Sequence, residues 1–427
     1  MLVACVTHDP RWDSHVETRS DYYASLIVHS SASLAPLAAY LRVLTETDPD
    51  NPNDLVLGTL RALTARGYAD SADILRAYLS YGQYWADALE ALAEAPDHSI
   101  DVRDADRLVD ERCPDMEALG DELGWMDAQR EPWSSLRAIN PRVARIFEEQ
   151  RQAAEERDQQ QERMREACAP LTVPELLTIA DDRNYRIVVA ALQNRVDRAD
   201  LGVLLDTVAR GGRVAKAVAM RGLERLADPV ALPLLRSFFE SSDDQWGRVY
   251  AAALRAIRTL PPDATLTLGR AWFDAPDGAQ RHVALQILKE HATMADVPRV
   301  REALLPSLRR DTPETNECYI QCGLLDILAR FPEAGPYPEA ATVFEEAGYS
   351  WTRIYAARVL QASEQRRFAE GHALECLWDC EERVRLVGCE SVDLHGDGAL
   401  SRVRAMADDP YEEDCVRDKA AERICSG

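Results

Sequence analysis

Lysine is nearly missing from this chain. It has three, Lys216, Lys289 and Lys419, so arginine supplies almost all of the 49 basic side chains. The bias reads as genome composition, not as chemistry. Basic charge as a whole is scarce: 73 Asp and Glu leave a formal net charge of −24 and a pI of about 4.8. Such a chain is repelled by phosphate backbones and by anionic lipid surfaces. Nucleic acid and membrane are therefore poor partners, and a basic protein is a suitable one. Aromatic residues make up only 7 %. With many alanines and leucines, that is the composition of helices packed closely on small side chains. No run approaches the roughly 18 consecutive apolar residues of a membrane-spanning helix. The apolar start Leu2–Val6 has no basic residue before it and stops at His8-Asp9-Pro10. No secretory signal is expected, and the expected location is the cytoplasm. Ten cysteines are scattered along the chain, a pattern that fits reduced thiols better than a disulfide framework.

The motifs of common enzyme classes are missing as well. There is no P-loop, no Gly-x-Ser-x-Gly, no His-Glu-x-x-His and no Rossmann glycine set. His8 and His15, with Asp9 and Asp13, match no hydrolytic or metal-binding spacing. His372, Cys376 and Cys380 stand four apart, so a helix would place them on one face, with Cys389 and His395 on the next helix. The short Cys-x-x-Cys knuckle of structural zinc sites is absent, and buried cysteine is a common small hydrophobe. No catalytic residue, cofactor or metal is expected.

What the chain does have is internal repetition. Residues 245–252 read Gln-Trp-Gly-Arg-Val-Tyr-Ala-Ala and residues 350–357 read Ser-Trp-Thr-Arg-Ile-Tyr-Ala-Ala, a return after 105 positions, or three steps of 35. Periods of this size mark repeat architectures. Within Asp228–Asp263, Leu234, Leu235 and Phe238 form one stripe. After the break at Ser241-Ser242-Asp243-Asp244, residues Trp246, Val249, Tyr250, Ala253, Leu254 and Ile257 form a second. Both have the helical period, and Pro261-Pro262 ends the second. The unit is helix, turn, helix, proline stop. Similar units fit Val173–Asp200, Leu201–Pro229, Ala264–Val297, Pro298–Tyr337, Pro338–Ala369, Glu370–Asp397 and Gly398–Ile424. The fold expected is all-α, an α-solenoid of stacked helix pairs that share one continuous core.

The division expected is an irregular helical region over 1–140, a charged linker helix over 141–170 and the repeat array over 171–427. Ser14-His15-Val16-Glu17 fits a capping box opening a helix through His29. Residues 54–95 suggest one or two further pairs. Residues 97–140, broken by Pro114 and Pro132, suggest short helices and loops. Residues 142–167 have good helix formers but no apolar stripe, which predicts a solvated helix.

Asp228-Pro-Val-Ala-Leu-Pro-Leu-Leu235, followed by Asp243/Asp244, Arg248 and Val249, resembles a HEAT repeat of the short bacterial, bilin-lyase type. Pro233, Asp243, Arg248 and Val249 fall on that repeat's proline, turn-acid, arginine and valine positions, and Asp181 with Arg186 repeats the acid-to-arginine spacing. The resemblance covers about residues 171–425, with a weaker echo at 54–95. It implies a scaffold or adaptor that grips another protein on the concave face lined by second helices, such as an immunity or regulatory partner of a basic target. The alternative it implies is a HEAT-like DNA glycosylase with a local basic groove; a bilin lyase is a third reading.

Four arginines are the candidate binding residues: Arg248, Arg255, Arg258 and Arg353. Arg248 and Arg353 either meet a partner or reach back to a turn acid such as Asp243, and the recurring spacing favours the second. Arg255 and Arg258, on the outer positions, are the better contacts. Trp246 and Trp351 either stack on a ligand or fill the gap within their helix pair. The apolar stripe favours filling. The most basic stretch, Arg195 to Arg225, is interleaved with Asp and Glu and makes a poor phosphate track.

Overall fold

The computed structural model describes residues 2–7, 19–43, 53–95, 100–241, 247–275, 278–304, 315–347, 349–396 and 398–426. The tryptophan expected in the core at 246, the turn acids at 243 and 244, the capping box at 14–17 and the histidines at 8 and 15 lie outside these residues. Every regular element among the described residues is helical, with 27 α-helices, short 3₁₀ turns and no strand. Helices pack on their neighbours in sequence, as in an α-solenoid.

Eight helix pairs follow one another from Val173. They are Val173–Ile179 with Tyr185–Gln193, Leu201–Arg210 with Arg213–Leu226, Leu232–Ser241 with Arg248–Arg258, and Pro262–Trp272 with Gly278–His291. Then come Val297–Leu304 with Thr315–Ala329, Pro338–Glu346 with Ser350–Ser363, a split pair, and Ala399–Asp408 with Asp414–Ser426. In the split pair Gly371 separates Gln365–Glu370 from His372–Cys376 before Glu382–Ser391. These are the repeat units read from the sequence, with boundaries moved by a few residues.

Local chemistry sets the starts. Thr172 and Glu175 form a capping box on the first pair, the Thr172 N–H donating to Glu175 Oε2 at 2.8 Å. Asp228 caps the turn Pro229–Ala231 by accepting from Val230 N at 3.1 Å. Burial then fixes each helix's rotation. In Arg248–Arg258, Val249, Tyr250, Ala252, Ala253, Ala256 and Ile257 are buried, leaving Ala251, Arg255 and Arg258 outside. Small residues let helices approach. A Cβ on Gly222 would meet Leu204 Cδ2 at 2.9 Å and Leu192 Cδ2 at 3.0 Å.

The chain forms two compact units. One runs Glu155–Ala347 and Trp351–His372. The other joins the described residues up to Ala154 with a short piece ending at Ser350 and everything from Ala373 on. The repeat array is thus shared between them. The segment read as a linker helix is one 28-residue helix, Pro141–Cys168, exposed over most of its length, and the division falls within it between Ala154 and Glu155. In the unit holding both ends of the chain, the Tyr411 hydroxyl donates to the carbonyl of Ala65 at 3.0 Å. The Arg66 guanidinium covers the Tyr411 ring at 4.5 Å and pairs with Asp21 at 3.0 Å. The C-terminal pair and the helix Asn53–Ala65 are joined through these contacts.

Candidate functional site

The four candidate arginines have different surroundings. Arg248 opens its helix, donates to Asp182 Oδ1 at 2.7 Å and lies over the Tyr185 ring at 4.4 Å. Among the described residues its acid is Asp182, 66 residues earlier, in the turn before Tyr185–Gln193. Arg353, the equivalent in the second copy of the motif, donates to the Phe344 carbonyl at 2.8 Å and stacks on the Phe344 ring. Arg258 pairs with Glu290 at 2.8 Å. Arg255 is exposed and has no carboxylate partner among the described residues. Burial pushes the Tyr185 phenol up, and the charges of Arg221, Arg248 and Arg255 offset this only in part. Trp351 is 37 % exposed. It sits in the first turn of Ser350–Ser363, where Thr352, Ile354, Ala356, Val359 and Leu360 take the core positions, so it does not fill the pair as expected.

Arginines also serve a purpose that composition hid. Arg195 donates to the carbonyls of Cys168, Ala169 and Leu171, at 2.9, 2.6 and 3.3 Å. Arg330 donates to those of Leu288 and Lys289, at 3.2 and 2.6 Å. Arg385 donates to Asp379 and Cys380, Arg112 to Ser80 and Gly82, and Arg142 to Cys113 and Asp115. These carbonyls end helices or the turns that follow them, where acceptors lack intrahelical donors and the dipole is negative. A planar guanidinium presents its donors in a rigid fork that can span two such carbonyls, where an ammonium offers a single point charge. The arginine excess is thus partly structural, a correction to the compositional reading.

Much of the basic stretch is spent in the same way, although Lys216 and Arg225 have no partner among the described residues. Arg195 caps, Arg198 faces Asp228 at 3.3 Å, Arg210 faces Asp206 at 3.2 Å and Arg221 pairs with Glu224. A mobility-shift assay is expected to show no salt-dependent duplex complex. A complex that weakens steeply with salt and is lost in R221E/R225E would instead support the glycosylase alternative.

The helix His372–Cys376 ends before Cys380, so the expected common face is not formed. Asp379 Oδ1 accepts from Glu381 N at 2.9 Å and turns the chain there. Among the described residues no group of three His, Cys, Asp or Glu is placed to hold a metal. None of the ten cysteines is in a disulfide. Burial pushes the Cys322 thiol up to about 11 and the Cys389 thiol to about 12, so neither is a thiolate nucleophile near neutral pH.

The feature the sequence reading missed lies in the irregular segment. Between Asp101 and Glu131 there are 11 acidic and four basic residues. The helix Met116–Leu123 stops at Gly124, and Trp125 stands 95 % exposed on the turn that follows. That turn is held firmly. Met126 N and Gln150 Nε2 donate to the Leu123 carbonyl at 3.2 and 3.1 Å, and Asp127 Oδ1 accepts from Gln129 N at 2.9 Å. Exposed Glu117, Asp121 and Asp127 flank it with no cationic partner among the described residues. Trp125 escaped notice because it lies on no apolar stripe. The available signal was the local acid excess around a tryptophan next to a helix-ending glycine.

No protein-family model matches the chain, and no curated protein matches it. The solved structure of an engineered protein aligns with 100 % of this chain and 98 % of its own, at 15 % identity and a TM-score of 0.27, below the level of a shared fold. No described helix is long and apolar enough to cross a membrane.

Proposed function

We propose that this protein is a non-enzymatic binding array of HEAT-like helix pairs that holds a basic segment of another protein, as an adaptor or an immunity or regulatory partner does. The observation that carries this reading is Trp125, 95 % exposed on a pinned turn among unpaired carboxylates. Tryptophan dominates interface energetics because it brings a large apolar area at little entropic cost. The surrounding acids supply charge complementarity, which speeds encounter and rejects acidic competitors. The arginines support the reading by their commitments. Those on helix-end carbonyls and in ion pairs are occupied within the fold, and the excess of carboxylates faces outward.

Peptide display against the immobilised full-length protein tests it. Selected sequences are expected to be net positive and to lose binding to Trp125→Ala, while thermal stability stays the same because the side chain is exposed. Selection of acidic peptides, or binding indifferent to W125A, refutes the reading.

A further inference from the structure

The last helix pair contains a groove that carries arginines on an acidic chain. It has a volume of ≈ 420 Å³ and lies between Ala399–Asp408, Asp414–Ser426 and the loop after Glu382–Ser391. Leu394, Leu400 and Ile424 form half-buried apolar walls, and Arg404, Arg423 and His395 bring cationic or proton-bearing groups to it. Asp393 is the acid among the described lining residues, and its Oδ1 is engaged by the backbone N–H of His395 at 3.0 Å. Ser426 Oγ also has a partner, donating to the Glu422 carbonyl at 2.8 Å.

In a chain of net charge −24, most described arginines find a carboxylate or a pair of carbonyls. These two do not. Arg404 is exposed, on the outer side of its helix, with no partner among the described residues. Arg423 spends one nitrogen on the Val392 carbonyl at 2.7 Å, which fixes the guanidinium in place. Its Nε is buried with no hydrogen-bond partner. That nitrogen is enclosed by protein, so the terminal nitrogens of the guanidinium are what Arg423 can offer to the groove. We propose that this groove binds a small organic oxyanion, a phosphate monoester or carboxylate on an apolar body, with Arg404 and Arg423 on the anion and Leu394, Leu400 and Ile424 against the body. The volume lies within the usual range for small-ligand sites, and guanidinium groups match planar or tetrahedral oxyanions through paired donors.

The test is calorimetric titration of the full-length protein with phenyl phosphate, benzoate, inorganic phosphate and neutral benzamide. At least one aromatic anion is expected to bind saturably, and the tighter of the two identifies the head group. Inorganic phosphate should bind more weakly than phenyl phosphate, and benzamide should not bind. Arg404→Glu is expected to weaken the anion by about tenfold or more, with Arg404→Lys between it and the wild type. The thermal midpoint should stay unchanged in both variants, because Arg404 is exposed. Three results overturn the proposal: no saturable binding of either aromatic anion, an affinity unmoved by R404E, or benzamide binding as tightly as the anions. Inorganic phosphate binding as tightly as phenyl phosphate overturns the assignment of the apolar walls.

Discussion

Trp133→Ala is expected to cost about 3–5 kcal/mol, the range for deleting a fully buried large aromatic side chain. Trp133 is 0 % exposed and packs edge-on against Trp85 at 6.4 Å. Its indole N–H donates to Glu90 Oε1 at 2.7 Å, and Glu90 is itself 6 % exposed. The alanine variant therefore leaves a cavity and also an acceptor without its donor. Trp133→Phe separates the two effects: the ring is largely kept and the N–H is lost, for an expected cost of about 1–3 kcal/mol. Denaturant unfolding followed by tryptophan fluorescence checks both. A W133A protein with an unchanged midpoint would mean that this core is not formed.

Glu90 adds a pH dependence of known sign. Burial raises its carboxyl above the ordinary value of 4.5, and the Trp133 N–H and Arg61 offset this only in part. A raised folded-state value means that the native protein holds this proton more tightly than the unfolded chain. The stability from this group is therefore fully present below the ordinary value and is lost as pH rises through the raised one. Glu90→Gln keeps an acceptor for Trp133 and removes the buried charge. It should be more stable than the wild type near neutral pH, and the difference should close as pH falls toward 4.5. A difference that widens on acidification contradicts the assignment.

Arg385→Ala is expected to cost about 3–5 kcal/mol, because it breaks a buried ion pair from one side. Arg385 Nη2 meets Glu412 at 2.6 Å, and the two side chains are only 12 % and 7 % exposed. The same guanidinium donates to the carbonyls of Asp379 and Cys380 at 3.0 and 2.9 Å, so the variant leaves a buried carboxylate and two carbonyls without their donor. Arg385→Lys is not expected to rescue it, since one ammonium cannot reproduce the fork. Replacing Arg385 and Glu412 together by Met and Leu should recover much of the loss, because the uncompensated charge is gone. Chemical denaturation of the four proteins measures this. A single variant that is silent, or a double variant worse than R385A, would show that the pair does not stabilise the fold.

The repeat units were legible because helical period and turn chemistry are local. Val249, Tyr250, Ala253 and Ile257 recur at helical spacing, and all are buried in the structure. Asp228-Pro229 stops one helix and starts the next within a few residues. Such signals need no knowledge of distant chain. The arginine partners were not legible, because a long side chain can reach any of several acids or carbonyls. The acid that Arg248 meets among the described residues is Asp182, 66 positions earlier in the chain. The repeated motif itself splits: Tyr250 is buried and hydrogen-bonds His282 at 2.8 Å, while its counterpart Tyr355 lies 6.0 Å from the Lys289 ammonium. Closely similar short sequences receive different neighbours from different flanking repeats.

The sequence by itself determined that the chain is helical, where most helix pairs begin and end, and that its charge is strongly negative. These follow from composition, period and capping, each a property of a short window. Tertiary structure alone decided which charges are spent inside the fold and which remain outside. It placed Arg385 against Glu412, left Arg404 and the Arg423 Nε without partners, and turned Trp125 into solvent. It also brought Tyr411 to Ala65 across 346 positions, joining the last pair to the first helices. No local pattern encodes such a contact, because its two residues stand 346 positions apart and only the packing within their own unit brings them together.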